Sequence, residues 1–149
     1  MKRNSIIFLF LLCFFYACKS KDQPTGKSDN SIDAARNFIR SALDGKFDLA
    51  RTYMFSDSSN INYMDVAERS FQNTDQATKN NYRTSTIIIH TVNDINDSTA
   101  IIIYSNSYKN DKDTLRVIKE KNQWLVDLKY LFEHDRDTLP SPIIHGDSI

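Results

Sequence analysis

The feature that most constrains this chain is a change of period at Ser85. Before it, apolar residues recur three and four positions apart; after it, β-branched residues come in short runs broken by polar turns. A period near 3.6 lines up one stripe of a helix, whereas strands alternate between two faces, so the two halves require different secondary structure. The expected class is α+β, with N-terminal helices packed on a four-stranded antiparallel sheet.

In the first half, Ile32, Ala35, Phe38, Ile39, Ala42 and Leu43 fall at helical spacing. Ser31 or Asn30 can cap the start, and Gly45 ends the run. Phe47, Leu49, Ala50, Tyr53 and Met54 read as a second short helix, closed by Ser56-Asp57-Ser58-Ser59-Asn60. A third helix spans Ile61 to Phe71, with Ile61, Met64, Ala67, Glu68 and Phe71 mostly on one stripe. The polar, Asn-rich stretch from Gln72 to Arg83 reads as part helix and part loop.

In the second half, Thr86 to Val92 and Ser98 to Tyr104 form a hairpin across a polar turn at Asn93 to Asp97. Thr114 to Glu120 and Gln123 to Tyr130 follow, joined by a tight Lys121-Asn122 turn. Alternation along the last strand puts Trp124, Val126, Leu128 and Tyr130 on one face and Leu125, Asp127 and Lys129 on the other. Trp124 is then expected in the core and Asp127 in solvent. From Glu133 onwards the chain is polar, holds Pro140 and Pro142, and reads as a tail.

The N-terminus carries a separate signal. Met1-Lys2-Arg3-Asn4 is basic, Ile6 to Ala17 is unbroken apolar sequence, and small Ala17 precedes Cys18. As a helix this run of about twelve residues spans about 18 Å, against about 30 Å of bilayer hydrocarbon, so a lasting transmembrane anchor is not expected. The arrangement resembles a bacterial lipoprotein signal, in which the cysteine receives diacylglycerol and the leader is cut away before it. Phe15 and Tyr16 stand where that family usually has Leu and a small residue. Polar residues from Lys19 to Ser28 suit a tether that holds a domain off a membrane surface.

Loss of residues 1–17 leaves about 130 residues, enough for one domain with a modest core. The full chain is formally neutral, and Lys2 and Arg3 depart with the leader, so no basic stripe suggests nucleic acid. Cys13 is lost with the leader and Cys18 is consumed by lipid. Disulfides, thiolate metal sites and cysteine nucleophiles are thereby excluded. There is no glycine-rich phosphate loop and no nucleophile motif, so no cofactor is expected. Asn93-Asp94-Ile95-Asn96-Asp97-Ser98 offers oxygen ligands but lacks EF-hand spacing, its central glycine and its distal Glu, and reads as a hairpin turn. His134, Asp135, Asp137, His145 and Asp147 read as a solvated tail, so no metal site is expected either.

The Ala35-Arg36-Asn37-Phe38 helix, the Gly45-Lys46-Phe47-Asp48-Leu49-Ala50 link and the Asn122-Gln123-Trp124-Leu125-Val126 strand together resemble NTF2-like (cystatin-like) domains. Small bacterial lipoproteins of the DUF4878 type are the nearest subgroup. The similarity covers residues 31–132, between a tether at 18–30 and a tail at 133–149. It implies a curved sheet wrapped around helices, with a conical pocket.

Enzymes of that fold place carboxylates, His or Tyr in an apolar cavity, where burial tunes proton transfer. Here His90 shares a face with Thr86, Ile88 and Val92 and has no recognisable acid partner. Tyr53, His90 and Trp124 are candidate cavity-lining residues, and no catalytic residue is assigned. The resulting expectation is a lipoprotein anchored through Cys18 to the cell or outer membrane, facing the periplasm or the surface. Its domain would bind a small ligand or an envelope protein. A small isomerase or dehydratase, and a module that presents its sheet to a partner, are the alternatives.

Overall fold

A computed structural model describes residues 27–132. Cys18 and its leader, most of the tether, and the tail with His134, Asp135, Asp137, His145 and Asp147 lie outside the described residues. Four helices precede four strands: α1 (Ser31–Leu43), α2 (Phe47–Thr52), α3 (Ser58–Asn73), α4 (Gln76–Thr84), β1 (Ile87–Asn96), β2 (Thr99–Asn106), β3 (Asp113–Glu120) and β4 (Gln123–Asp127). None of the described helices is long and apolar enough to cross a membrane.

Three helices start on an Asx cap. The side chains of Asn30, Asp57 and Asp75 accept the backbone N–H of Asp33, Asn60 and Thr78 respectively, which satisfies donors that have no partner inside the helix. Helix α1 ends at Gly45, whose φ of +75° lets the chain reverse. Its N–H bonds the Ala42 carbonyl at 2.9 Å and that of Lys46 the Ser41 carbonyl at 2.8 Å, the two bonds of a Schellman motif.

The strands form one antiparallel sheet in the order β1-β2-β3-β4, and α1 packs against all four. Ala34 and Ala35 of α1 are fully buried; their small side chains let the helix approach the sheet closely. Against them lie Ile102, Leu115, Val117 and Val126, all fully buried and part of one hydrophobic core with α1. Ile101, Ile103, Ile118 and Leu125 point to the opposite face and are half-buried. Beyond β4, the segment 53–55 bonds to Val126 in parallel fashion, through Val126 N–H to the Tyr53 carbonyl and Phe55 N–H to the Val126 carbonyl, both at 2.8 Å.

Several boundaries differ from the expectation, each for a local reason. The first hairpin turn shrinks to Asp97-Ser98, because strand pairing continues as far as Asn96↔Thr99. Lys121 and Asn122 both take positive φ, 47° and 65°, as a two-residue type I′ turn requires. Strand β4 stops at Asp127 rather than Tyr130, since the Leu128 amide bonds the Asn60 side chain at 2.6 Å. Gln76 to Thr84 is helical although none of its residues is buried. Arg40 holds it to α1 by donating to the carbonyls of Tyr82 and Ser85 at 3.0 and 2.8 Å, at the C-terminal end of the helix, where the negative end of the dipole favours a cation.

On α3 the inward stripe is Asn60 and Met64, both buried, with Ala67 and Phe71 half-buried, one residue out of step with the expected start. Ile61 is 42% exposed, whereas Asn60 is fully buried. The reason is polar rather than hydrophobic: Asn60 belongs to a closed hydrogen-bond network beneath β4.

Candidate functional site

That network contains the largest departure from strand alternation. Asp127 does share its face with Leu125, yet it is only 2% exposed, because the N-terminus of α3 and the turn after β4 close around it. Its Oδ2 accepts from Arg116, by Nε at 3.2 Å and also by Nη2. Its Oδ1 accepts from Asn60 Nδ2 at 3.3 Å and from the Lys129 amide at 3.2 Å. Asn60 donates as well to Asp57 Oδ1 at 3.0 Å, and Lys129 Nζ reaches Asp57 Oδ2 at 2.6 Å. The Asn60 backbone N–H, and next the Lys129 ammonium, hold the Asp57 carboxyl below its ordinary range; the Asp57 bond in turn raises Lys129. Two carboxylates meet two cations here, and each carboxylate oxygen is occupied. A general acid or base needs a proton or lone pair facing a substrate, so this cluster functions as a clasp joining β3, β4 and α3.

The sheet places the other polar candidates apart. Pairing skips a residue between Ile89 and Thr91, so His90 sits in a β-bulge and is exposed. Ile87 and Ile89 face the core before the bulge and Val92 after it, so His90 and Val92 do not share a face. Such a bulge re-aims a side chain, and His90 Nε2 hydrogen-bonds Ser105 Oγ at 2.9 Å. Ser105 itself is only 3% exposed. Tyr104 points inward opposite Asp113; burial, followed by the Asp113 charge, pushes its phenol well above the ordinary range.

Tyr53 is buried at the edge of β4, 3% exposed. Trp124 is half-buried rather than enclosed under α1, lying against the core cluster with the Lys119 ammonium 5.7 Å from its ring. Among the described residues, no three His, Cys, Asp or Glu side chains cluster as a metal site would require.

Two hollows lie among the helices. A groove of about 280 Å³ is lined by Ala42 and Leu43 of α1, Phe47 of α2, Ala67, Ser70, Phe71 and Thr74 of α3, and Tyr82 of α4. A second hollow of about 250 Å³ shares Phe47 and Phe71 and adds Gly45, Glu68, Gln72, Gln76, Lys79 and Arg83. Neither is lined by Tyr53, His90 or Trp124. The Phe47 and Phe71 rings meet edge to face at 5.5 Å and form the wall common to both. Arg51 ties α2 to α3 below them, with Nη2 at 2.8 Å from Asp65 and 2.7 Å from Glu68. Phe71 was visible as part of an amphipathic stripe, but four separate segments build the groove, and no single-segment period reveals it. Comparison with family models, curated proteins and solved structures found no match to this chain.

Proposed function

We propose that this chain is a lipoprotein held at a membrane surface through acylated Cys18, and that its NTF2-like domain binds a small ligand without transforming it. The apolar groove beside Phe71 carries the binding reading, because its lining includes no carboxylate, histidine or amine. The ionisable residues of the clasp are saturated instead: Asp57, Asp127 and Lys129 satisfy one another and Asn60. Four helices before an antiparallel meander, with α1 laid across it, support the NTF2-like reading of the domain. The basic start, the short apolar run and Ala17-Cys18 support the anchor.

Metabolic labelling with palmitate, compared between wild type and Cys18→Ala, tests the anchor; label is expected only in wild type. Native mass spectrometry of the purified protein tests binding, and a small-molecule adduct is expected. A bare protein mass would remove the binding half.

A second reading, an envelope interaction module, is favoured by the outer sheet face. Ile101, Ile103, Ile118 and Leu125 are half-buried there, Ile88 is exposed, and the opposite face carries the buried core. Under it, Ile101→Lys removes a cellular phenotype from a protein that is folded, membrane-attached and still carries its adduct.

A further inference from the structure

The second hollow differs from the first in charge. Lys79 and Arg83 both line it, four residues apart on α4 and therefore on one face of that helix. Lys79 Nζ donates to the Gln72 carbonyl at 2.8 Å, and Arg83 Nε to the Asp44 carbonyl at 3.3 Å. Among the described residues neither cation is in an ion pair. The one acid in the lining, Glu68, is committed to Arg51 at 2.7 Å and accepts from Gln72 Nε2 at 3.2 Å. Two like charges at this helical spacing repel each other; the Lys79 ammonium lies 5.7 Å from the centroid of the Phe71 ring, and Arg83 is exposed.

Beside this pair, which has no ion-pair partner among the described residues, runs the apolar groove, which shares Phe47 and Phe71 with the hollow. An apolar ligand alone would leave both cations without a counter-charge. A compact anion alone would leave the groove unfilled. We propose that the ligand is a short single-chain amphiphile with a carboxylate head, of the medium-chain fatty acid class. Its chain lies along Leu43, Ala67 and Tyr82, and its head is held by Lys79 and Arg83. An ammonium and a guanidinium fork both donate to carboxylate oxygens, and charge-assisted bonds of this kind are the strong ones. The size limits the chain: about 280 Å³ is at the lower end of small-molecule sites. This inference rests on the binding reading above and names the ligand class for it.

The test titrates the protein with octanoate and, separately, with uncharged 1-octanol, following backbone amide shifts by NMR. Saturable shifts are expected at Ala42, Ala67, Phe71 and Lys79 with octanoate, and weaker binding with octanol. In the double variant Lys79→Gln/Arg83→Gln, octanoate affinity should fall about tenfold while octanol affinity stays the same, as loss of two exposed charge contacts implies. The octanoate-to-octanol ratio is the decisive readout, because a purely structural role for Lys79 at the end of α3 would lower thermal stability without changing that ratio. Equal affinities in wild type, or an unchanged ratio in the double variant, would overturn the charge assignment while leaving the groove a binding site. Absence of saturable shifts at the groove with either probe would overturn the groove as well.

Discussion

The side-chain amide of Asn60 donates to the carboxylate of Asp127 at 3.3 Å, across 67 residues of sequence, and this bond joins the first turn of α3 to the last residue of β4. The Asn60 carbonyl oxygen accepts the Leu128 amide, so one buried amide both fastens the two elements and ends the strand.

Asp127→Ala should therefore destabilise the domain by about 2–3 kcal/mol, since it takes from Arg116 its carboxylate and from the buried Asn60 amide one of its two acceptors. Strand alternation by itself assigns Asp127 to solvent and so expects almost no effect. Chemical denaturation of the variant decides between them, and a change under about 0.5 kcal/mol, as surface substitutions give, would contradict the clasp.

The same clasp sets an acid limb. Asp57 has its folded pKa lowered, by the Asn60 N–H first and then by Lys129, so its contribution is present above the unfolded carboxyl value and is lost as pH falls through the folded one. Stability should decline below about pH 4. Lys129 is raised, which gives the opposite sign: its share is intact below the unfolded lysine value and is lost only in strong alkali. Asp57→Asn keeps an N-cap side chain but removes the charge. Its denaturation midpoint should be lower at neutral pH and depend less on pH in the acid range.

Gly45→Ala should cost about 1–2 kcal/mol, for its φ lies in the left-handed region that disfavours a Cβ. The added carbon would also sit 2.6 Å from Phe71 Cε1. Thermal unfolding measures the loss, and an unchanged midpoint would mean that the turn after α1 tolerates another geometry.

How much of this was legible depends on what carried each element. Helix α1 announced itself, because its apolar spacing, Asn30 cap and Gly45 stop all act within one segment. The strands were legible in number and order for the same reason. Asn60 and Asp127 were not, since their burial depends on partners far apart in sequence, and a polar residue on a core stripe looks like an error in the pattern. Val92 was misplaced relative to His90 by a bulge, which shifts the face of the residues that follow it on β1. Helix α4 was half seen: it buries no residue of its own and owes its position to Arg40. The groove, built from four segments, had no local sign at all.

Adjacent residues of β2 should respond very differently. Ile102 is fully buried against α1, so Ile102→Ala should cost about 3 kcal/mol or more. Ile103 is half-buried on the outer face, and Ile103→Ala should cost about 1 kcal/mol. Equilibrium unfolding of the pair reports which face of the sheet holds the core, and equal losses would contradict the one-sided packing.

Ser70 is exposed and lines the groove without belonging to the core cluster, so Ser70→Trp fills the space and leaves the packing beneath it intact. Native mass spectrometry of wild type and this variant, purified identically, tests the binding account most directly. Wild type should carry a small-molecule adduct, and Ser70→Trp should be bare at unchanged stability. An adduct that persists in the blocked variant, or is missing from wild type, would contradict the groove as the ligand site.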